Sequence, residues 1–374
     1  MKRNLIALAV AGAFLAPTAA MADGSGVTLS GVVHGDIGFG YEKCDGACDT
    51  DTSNSNSIAY KRQANIGTFA TRWGIDGTED LGWAQAIFGL AIDHQFAGNH
   101  RGGNNTVTNN NQASNTDKIA NRNSYLGLSG GFGTIKIGQN EHLYEIQQIL
   151  QDPDPASENT YATLGLMTSW GIQGGPSGFT RRDAQSIWYA SPNIGGATIE
   201  AAYITPAGGK VEGLSPYGIQ LGANWKSAFG LSLYGAYAQY NDEGVKSKNK
   251  AFRVGAGYGM ELFQVDVFGE QLKYTDNSSS NLKRTNVGVS GALNFGQHHI
   301  RGALSVAGKL KSGGSTVSDS SAKQLLIGYA YTLSKRTELQ VNYGLVDNKK
   351  NAAFNVSQAG NDSNRFGVGI RHTF

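Results

Sequence analysis

Past its first residues the sequence has no apolar run long enough to cross a membrane as a helix, and it is poor in proline and cysteine, with 7 and 2 among 374 residues. A helical membrane protein needs about 20 consecutive apolar residues per span, so that class is excluded. Two cysteines cannot build a disulfide-dense scaffold. Cys44 and Cys48, although near Asp45, Asp49 and Asp51, lack the usual spacing of a zinc site. The histidines form no His-Glu-x-x-His arrangement and have no recognisable nucleophile partner. The glycines form no phosphate-loop pattern, so neither an enzyme nor a cofactor is indicated. An excess of one charge is missing too. Without Lys2 and Arg3 the 31 basic residues become 29, equal to the 29 acidic ones. No nucleic-acid partner is expected, because such a protein would carry a net basic stripe. The short cluster Lys246 to Lys250 reads as a solvated loop.

The N-terminus sets the compartment. Lys2 and Arg3 precede an apolar run from Leu5 to Leu15, then Pro17 and the small-residue pattern Ala20-Met21-Ala22. This is the layout of a secretory signal, so residues 1–22 are expected to be removed and a single domain, 23–374, to remain. In an exported chain Cys44 and Cys48 are candidates for a small loop-clamping disulfide, with metal binding the lesser alternative.

What is abundant is alternation. Val27, Leu29, Val33, Ile37, Phe39 and Tyr41 share one parity, while Thr28, Ser30, His34, Asp36 and Gly38 share the other, with Val32 the one discord. The last ten residues behave alike, with Phe366, Val368, Ile370 and Phe374 opposite Arg365, Gly367, Gly369, Arg371 and Thr373. Such two-faced segments are strands of a sheet. Short connections (Glu79 to Gly82, Gly130 to Gly133, Ser191 to Gly195, Ser227 to Gly230, Met260 to Phe263, Phe295 to His298, Ser334 to Thr337) alternate with long polar ones such as Gln139 to Arg181, Asn241 to Lys250 and Thr275 to Leu282. Eight long connections and seven short ones predict 16 strands. Periodicity alone does not separate a soluble barrel from a membrane barrel. Size does, because so many polar inner positions enclose more volume than their side chains can fill. The expectation is all-β: a 16-stranded antiparallel transmembrane β-barrel with short periplasmic turns and long extracellular loops. Tyr41, Trp83, Tyr189, Tyr274 and Tyr343 are candidates for its interfacial girdles.

Five segments carry a resemblance. They are Thr71-Arg72-Trp73-Gly74-Ile75-Asp76-Gly77-Thr78-Glu79-Asp80-Leu81-Gly82, Asn121-Arg122-Asn123-Ser124-Tyr125-Leu126-Gly127-Leu128, Ser186-Ile187-Trp188-Tyr189-Ala190-Ser191-Pro192, Gly328 to Thr337, and the ending Gly367 to Phe374. In this order the chain resembles the trimeric general porins of Gram-negative outer membranes, in the branch common in Neisseria and other β-proteobacteria. It departs from them at Gln139, where the family often has Arg, and at Asn193-Ile194, which replace a common Glu-Phe pair.

The resemblance implies an outer-membrane channel for passive diffusion of ions and small hydrophilic solutes. It also implies a homotrimer set in outer-membrane lipid and lipopolysaccharide. The third loop, residues 139–181, would fold into the barrel and narrow it. A short helix is expected there from the spacing of Leu143, Ile146 and Leu150, ended by Asp152-Pro153-Asp154-Pro155. Arg72, Arg122 and Arg182 match the family's basic pore cluster, and Lys136 adds to the wall. Glu141, Glu145, Asp152, Asp154 and Glu158 are the candidate acids of the constriction loop. Two alternatives stay open: a channel specific for a sugar or an anion, and a barrel that serves mainly as an adhesin.

Overall fold

A computed structural model describes residues 25–44, 63–67, 71–93, 122–141, 143–144, 166–179, 181–205, 212–277, 281–356 and 358–374. The first strands are β1 (Gly26–Cys44), β2 (Gln63–Gly67), β3 (Arg72–Asp80), β4 (Gln85–Asp93), β5 (Ser124–Gly130) and β6 (Gly133–Glu141). Next come β7 (Arg182–Ala190), β8 (Ala197–Ile204), β9 (Tyr217–Lys226), β10 (Leu231–Asn241), β11 (Ser247–Gly259), β12 (Phe263–Asp276) and β13 (Asn281–Phe295). The last are β14 (His298–Ala307), two short strands β15 (Lys311–Ser312) and β16 (Ser315–Thr316), β17 (Ala322–Ser334), β18 (Thr337–Asn348) and β19 (Asn361–Thr373).

Every neighbouring pair is antiparallel, and β19 returns to pair with β1 from Val32↔Thr373 to Cys44↔Asn361, which closes the sheet. The strands β2 and β3 both lie against β1 and form one interrupted wall strand, while β15 and β16 make a small hairpin above the wall. What closes is a 16-stranded barrel. Closure explains the strand-like C-terminus, because Arg365 to His372 are paired on both sides, by β1 and by β18.

The two parities have opposite fates. Val27, Leu29, Val33, Ile37 and Phe39 point outward and are exposed, whereas Ser30, His34 and Asp36 are buried inside. Val32, the discordant residue, joins the inner set at 5 % exposure. The same apolar exterior continues through Val254, Val265, Val267, Val287, Val289, Leu304 and Ile327. An outer belt rich in β-branched and leucine side chains around a polar interior is the arrangement lipid requires. Trp83 and Tyr189 stand exposed at the short-turn rim, Trp83 with its ring 6.3 Å from that of Phe132, and the Tyr189 hydroxyl donates to the Phe132 carbonyl. Tyr274 and Tyr343 are half-buried, and the side chain of Tyr41 lies outside the described residues.

The short turns fall where alternation placed them. Two of the long connections are shorter than expected. β10 runs to Asn241 and β11 starts at Ser247, while β12 runs to Asp276 and β13 starts at Asn281. The stretch Ser247 to Lys250 is therefore strand, not solvated loop, because its pairing with Lys273 to Asp276 outweighs its polar composition. The predicted helix is described only at Leu143 and Tyr144, and the Cys44–Cys48 pairing lies outside the described residues.

One glycine is demanded by the wall itself. Gly138 has φ 136° at the point where the β6–β7 register shifts, and a β-carbon there would collide with the Ser124 carbonyl oxygen across β5. Gly138→Ala is expected to cost about 1–3 kcal/mol in backbone strain alone. A lower urea midpoint for the detergent-folded barrel is the measurable consequence.

Candidate functional site

The inward faces of β3 to β7 gather the basic residues. Arg122, just before β5, is held by backbone bonds to β4, with its amide donating to the Ala91 carbonyl at 3.0 Å. Its guanidinium ion-pairs with Asp93 and lies 3.7 Å from Glu141. Arg182 at the start of β7 donates to the same Glu141 carboxylate at 2.9 Å, and Asn123 donates to its other oxygen at 3.4 Å. Arg72 stands opposite Asp93 in register and adds its charge to the field at Glu141. The three predicted arginines thus converge on one carboxylate.

That convergence corrects one assignment. Glu141 does not belong to the loop; it ends β6 and sits on the arginine wall, because β6 pairs with β7 as far as Glu141↔Arg182. Its partners are beside it, not across the lumen. Glu145, Asp152, Asp154 and Glu158 lie outside the described residues. Lys136 points into the barrel lower down, with its ammonium 4.1 Å from the Tyr125 ring centre and 4.9 Å from that of Trp188. A further arginine, Arg181, was not foreseen. It pairs with Asp183 at 3.3 Å and with Glu243, and its guanidinium lies 3.3 Å over the Tyr240 ring. Arg181 thus leans towards β10, away from the other three, while Arg122 and Arg182 each pair with a carboxylate and Arg72 faces Asp93 in register.

Half the ring of strands away, β11, β12 and β13 hold the two described limbs of the third loop. The Glu270 carboxylate accepts from the Tyr144 hydroxyl at 2.9 Å, from the Thr168 amide at 2.7 Å, from the Asn286 side-chain amide at 2.7 Å and from Arg253 at 2.6 Å. Arg253 also donates to the Tyr144 carbonyl at 2.9 Å and covers the Tyr144 ring. Both limbs are tied to a single inward carboxylate. A buried ion pair is tolerated only when its remaining hydrogen-bonding capacity is met, and the Glu270 carboxylate, with four donors, meets that condition.

Apolar packing completes the attachment. Tyr144, Trp170 and Phe179 are buried against Ala236, Ala238, Tyr240, Ala251 and Leu272, while Leu166 and Met167 are buried with Phe268, Ala307, Ala322, Val346 and Phe354. Removing side chains of this size from water is worth about 1.5–3 kcal/mol each. The two described limbs are thereby held against this wall. Arg253, Glu270 and Asn286 were missed in the sequence because a strand-borne charge on the polar parity is ordinary in a wet barrel. The small inward residues around them, Ala236, Ala238 and Ala251, were the available signal that something packs there.

A closed, lipid-facing barrel narrowed from within by its own loop defines a channel protein of the outer-membrane type. The family model described as Gram-negative porin matches residues 7–351, and the chain belongs to that family. It is 27 % identical over 392 residues to the major outer membrane protein P.IB of Neisseria lactamica, with both chains covered in full. It is also 27 % identical over 386 residues to outer membrane porin protein 32 of Delftia acidovorans, again over the whole of each chain. Among solved structures, an anion-selective porin from Comamonas acidovorans superposes with a TM-score of 0.72 at 22 % identity, covering 94 % of this chain and 100 % of that one. OmpT of Vibrio cholerae in its trimer form superposes with a TM-score of 0.66 at 13 % identity. The protein is an outer-membrane diffusion channel.

Proposed function

We propose that ions and small hydrophilic solutes pass through a slot between the wall of Arg72, Arg122 and Arg182 and the inward third loop. The observation that carries this reading is the double tether of that loop to Glu270, half the barrel away from Arg72 and Arg122. Permeation then needs no catalytic group, only a wet passage and binding weak enough for solutes to leave. Because these arginines are interleaved with Asp93 and Glu141, the slot orients dipoles more than it concentrates one ion. The selectivity of this channel is accordingly milder than the name of the Comamonas relative would suggest.

The working form is a homotrimer, as the Vibrio relative is described, and the mature chain starts at Asp23 after signal cleavage. Single-channel recording of refolded protein in a planar bilayer tests the reading. Large ohmic steps that close in threes are expected. Small steps blocked by one sugar or one anion would replace it with a solute-specific channel, and silent but folded barrels would end it.

A further inference from the structure

Among the described residues two arginines, Arg253 and Arg284, are each only 1 % exposed, and of these only Arg253 has a carboxylate beside it. Arg284 stands on the inward parity of β13, directly opposite the buried Leu272 of β12, whose side chain offers no acceptor. Glu270 is one inward step away, opposite Asn286, and its carboxylate is already taken by Tyr144, Thr168, Asn286 and Arg253. The Arg284 Nη1 donates to two main-chain carbonyls of the β14–β17 connection, Gly308 at 3.0 Å and Ser320 at 2.7 Å. Its Nε and Nη2 are buried and have no acceptor among the described residues. No charged neighbour among those residues offsets the burial of the guanidinium.

A guanidinium does not give up its proton in a protein, so burial cannot neutralise it as it would neutralise a lysine. A charge enclosed without a counter-ion is strongly destabilising, and a buried donor without an acceptor adds to that cost. The two unpaired donors are not scattered. Nε–H and Nη2–H form one edge of the guanidinium, parallel and spaced to match the two oxygens of a carboxylate. A planar oxyanion receives both bonds in line, whereas a halide centred between them receives both bent. The surroundings favour a small ligand, because Leu272 lies opposite and the buried Phe354 ring is centred 5.0 Å from the guanidinium carbon.

We propose that the Nε–Nη2 edge of Arg284 is a binding site for a small carboxylate of the size of formate or acetate, separate from the arginine cluster of β3 to β7. It lies where three parts of the chain meet. Phe354 belongs to the β18–β19 connection and is fixed by Asn348, which accepts from its amide at 3.0 Å and donates to its carbonyl at 2.9 Å. The adjacent Ala353 amide donates to the Gly171 carbonyl of the third loop at 2.9 Å. A carboxylate on Arg284 thus neutralises the charge around which β13, the β14–β17 connection and Phe354 assemble, and it has to leave before that junction opens.

The test times the unfolding of the detergent-folded barrel in urea at constant ionic strength while formate replaces chloride. Ligand that binds only the folded barrel slows unfolding along a saturating curve, about tenfold once its concentration is about ten times the dissociation constant. Arg284→Met removes the charge at similar volume and should unfold at one rate in both salts. Arg284→Lys keeps the charge without the paired donors and should lose the advantage of formate over chloride. Equal wild-type rates in the two salts overturn the proposal, as does a formate effect that persists in Arg284→Met or rises without saturating. Faster unfolding in formate than in chloride replaces the carboxylate site with a halide site and overturns it too. Should neither variant fold, a difference map between formate-soaked and chloride-soaked wild-type crystals decides: planar density against Nε and Nη2 is expected, and water there in both ends the proposal.

Discussion

Replacing Glu270 by alanine releases both described limbs of the third loop at once. The side chain is fully enclosed and receives Tyr144, Thr168, Asn286 and Arg253, so its removal leaves the Arg253 guanidinium buried without its carboxylate. Breaking one side of such a pair costs about 3–5 kcal/mol, well above the ~1 kcal/mol of an ordinary hydrogen bond. The expected observations are a lower unfolding midpoint in detergent, greater solvent access to Trp170, which is 2 % exposed in the native barrel, and noisier open-channel current. The double change Glu270→Leu, Arg253→Met separates stability from tethering. It removes both charges, so most of the lost stability should return, but the bonds to Tyr144 and Thr168 are still absent and the current should stay noisy. A Glu270→Ala barrel with an unchanged midpoint and quiet current would show that apolar packing alone holds the loop.

Arg72→Ser together with Arg122→Ser shifts ion selectivity towards cations. Arg122 is 5 % exposed and touches both Asp93 and Glu141, so its loss leaves two carboxylates on the wall with one guanidinium fewer between them. A unit charge about 5 Å from a passing ion in a water-filled lumen is worth about 0.8 kcal/mol, roughly fourfold in relative permeability per charge before screening. Reversal potentials under a salt gradient read this directly. The shift should shrink in molar salt, where the screening length falls from about 10 Å to about 3 Å. An unchanged ratio at low salt would mean that permeant ions do not pass this wall.

Much of this is legible in the sequence. The alternation from Val27 to Tyr41 and from Arg365 to Phe374 gave both the strand type and the face of nearly every residue, since a strand repeats every two residues whatever it pairs with. The short turns were legible for the same reason: glycine and polar residues interrupt that period locally. The basic cluster was found through resemblance, but its acid was misplaced. Glu141 was assigned to the loop because the end of β6 depends on pairing with β7, and a pairing limit leaves no mark in the composition of one segment. Polarity alone reads Lys246 to Lys250 as loop, although β11 begins at Ser247 and takes in Lys248 and Lys250.

The sequence by itself determined that the chain makes outward-apolar, inward-polar strands joined by alternating short and long connections, and hence that it closes as a membrane barrel. Those properties are local, with a period of two residues and turns of a few. Only the tertiary structure decided which side of the lumen the described limbs of the third loop occupy and which carboxylate tethers them. Glu270 is 126 residues from Tyr144 and 102 from Thr168. Such juxtapositions are set by strand register around a closed ring, where each pairing fixes the next, and no single stretch of sequence contains that information.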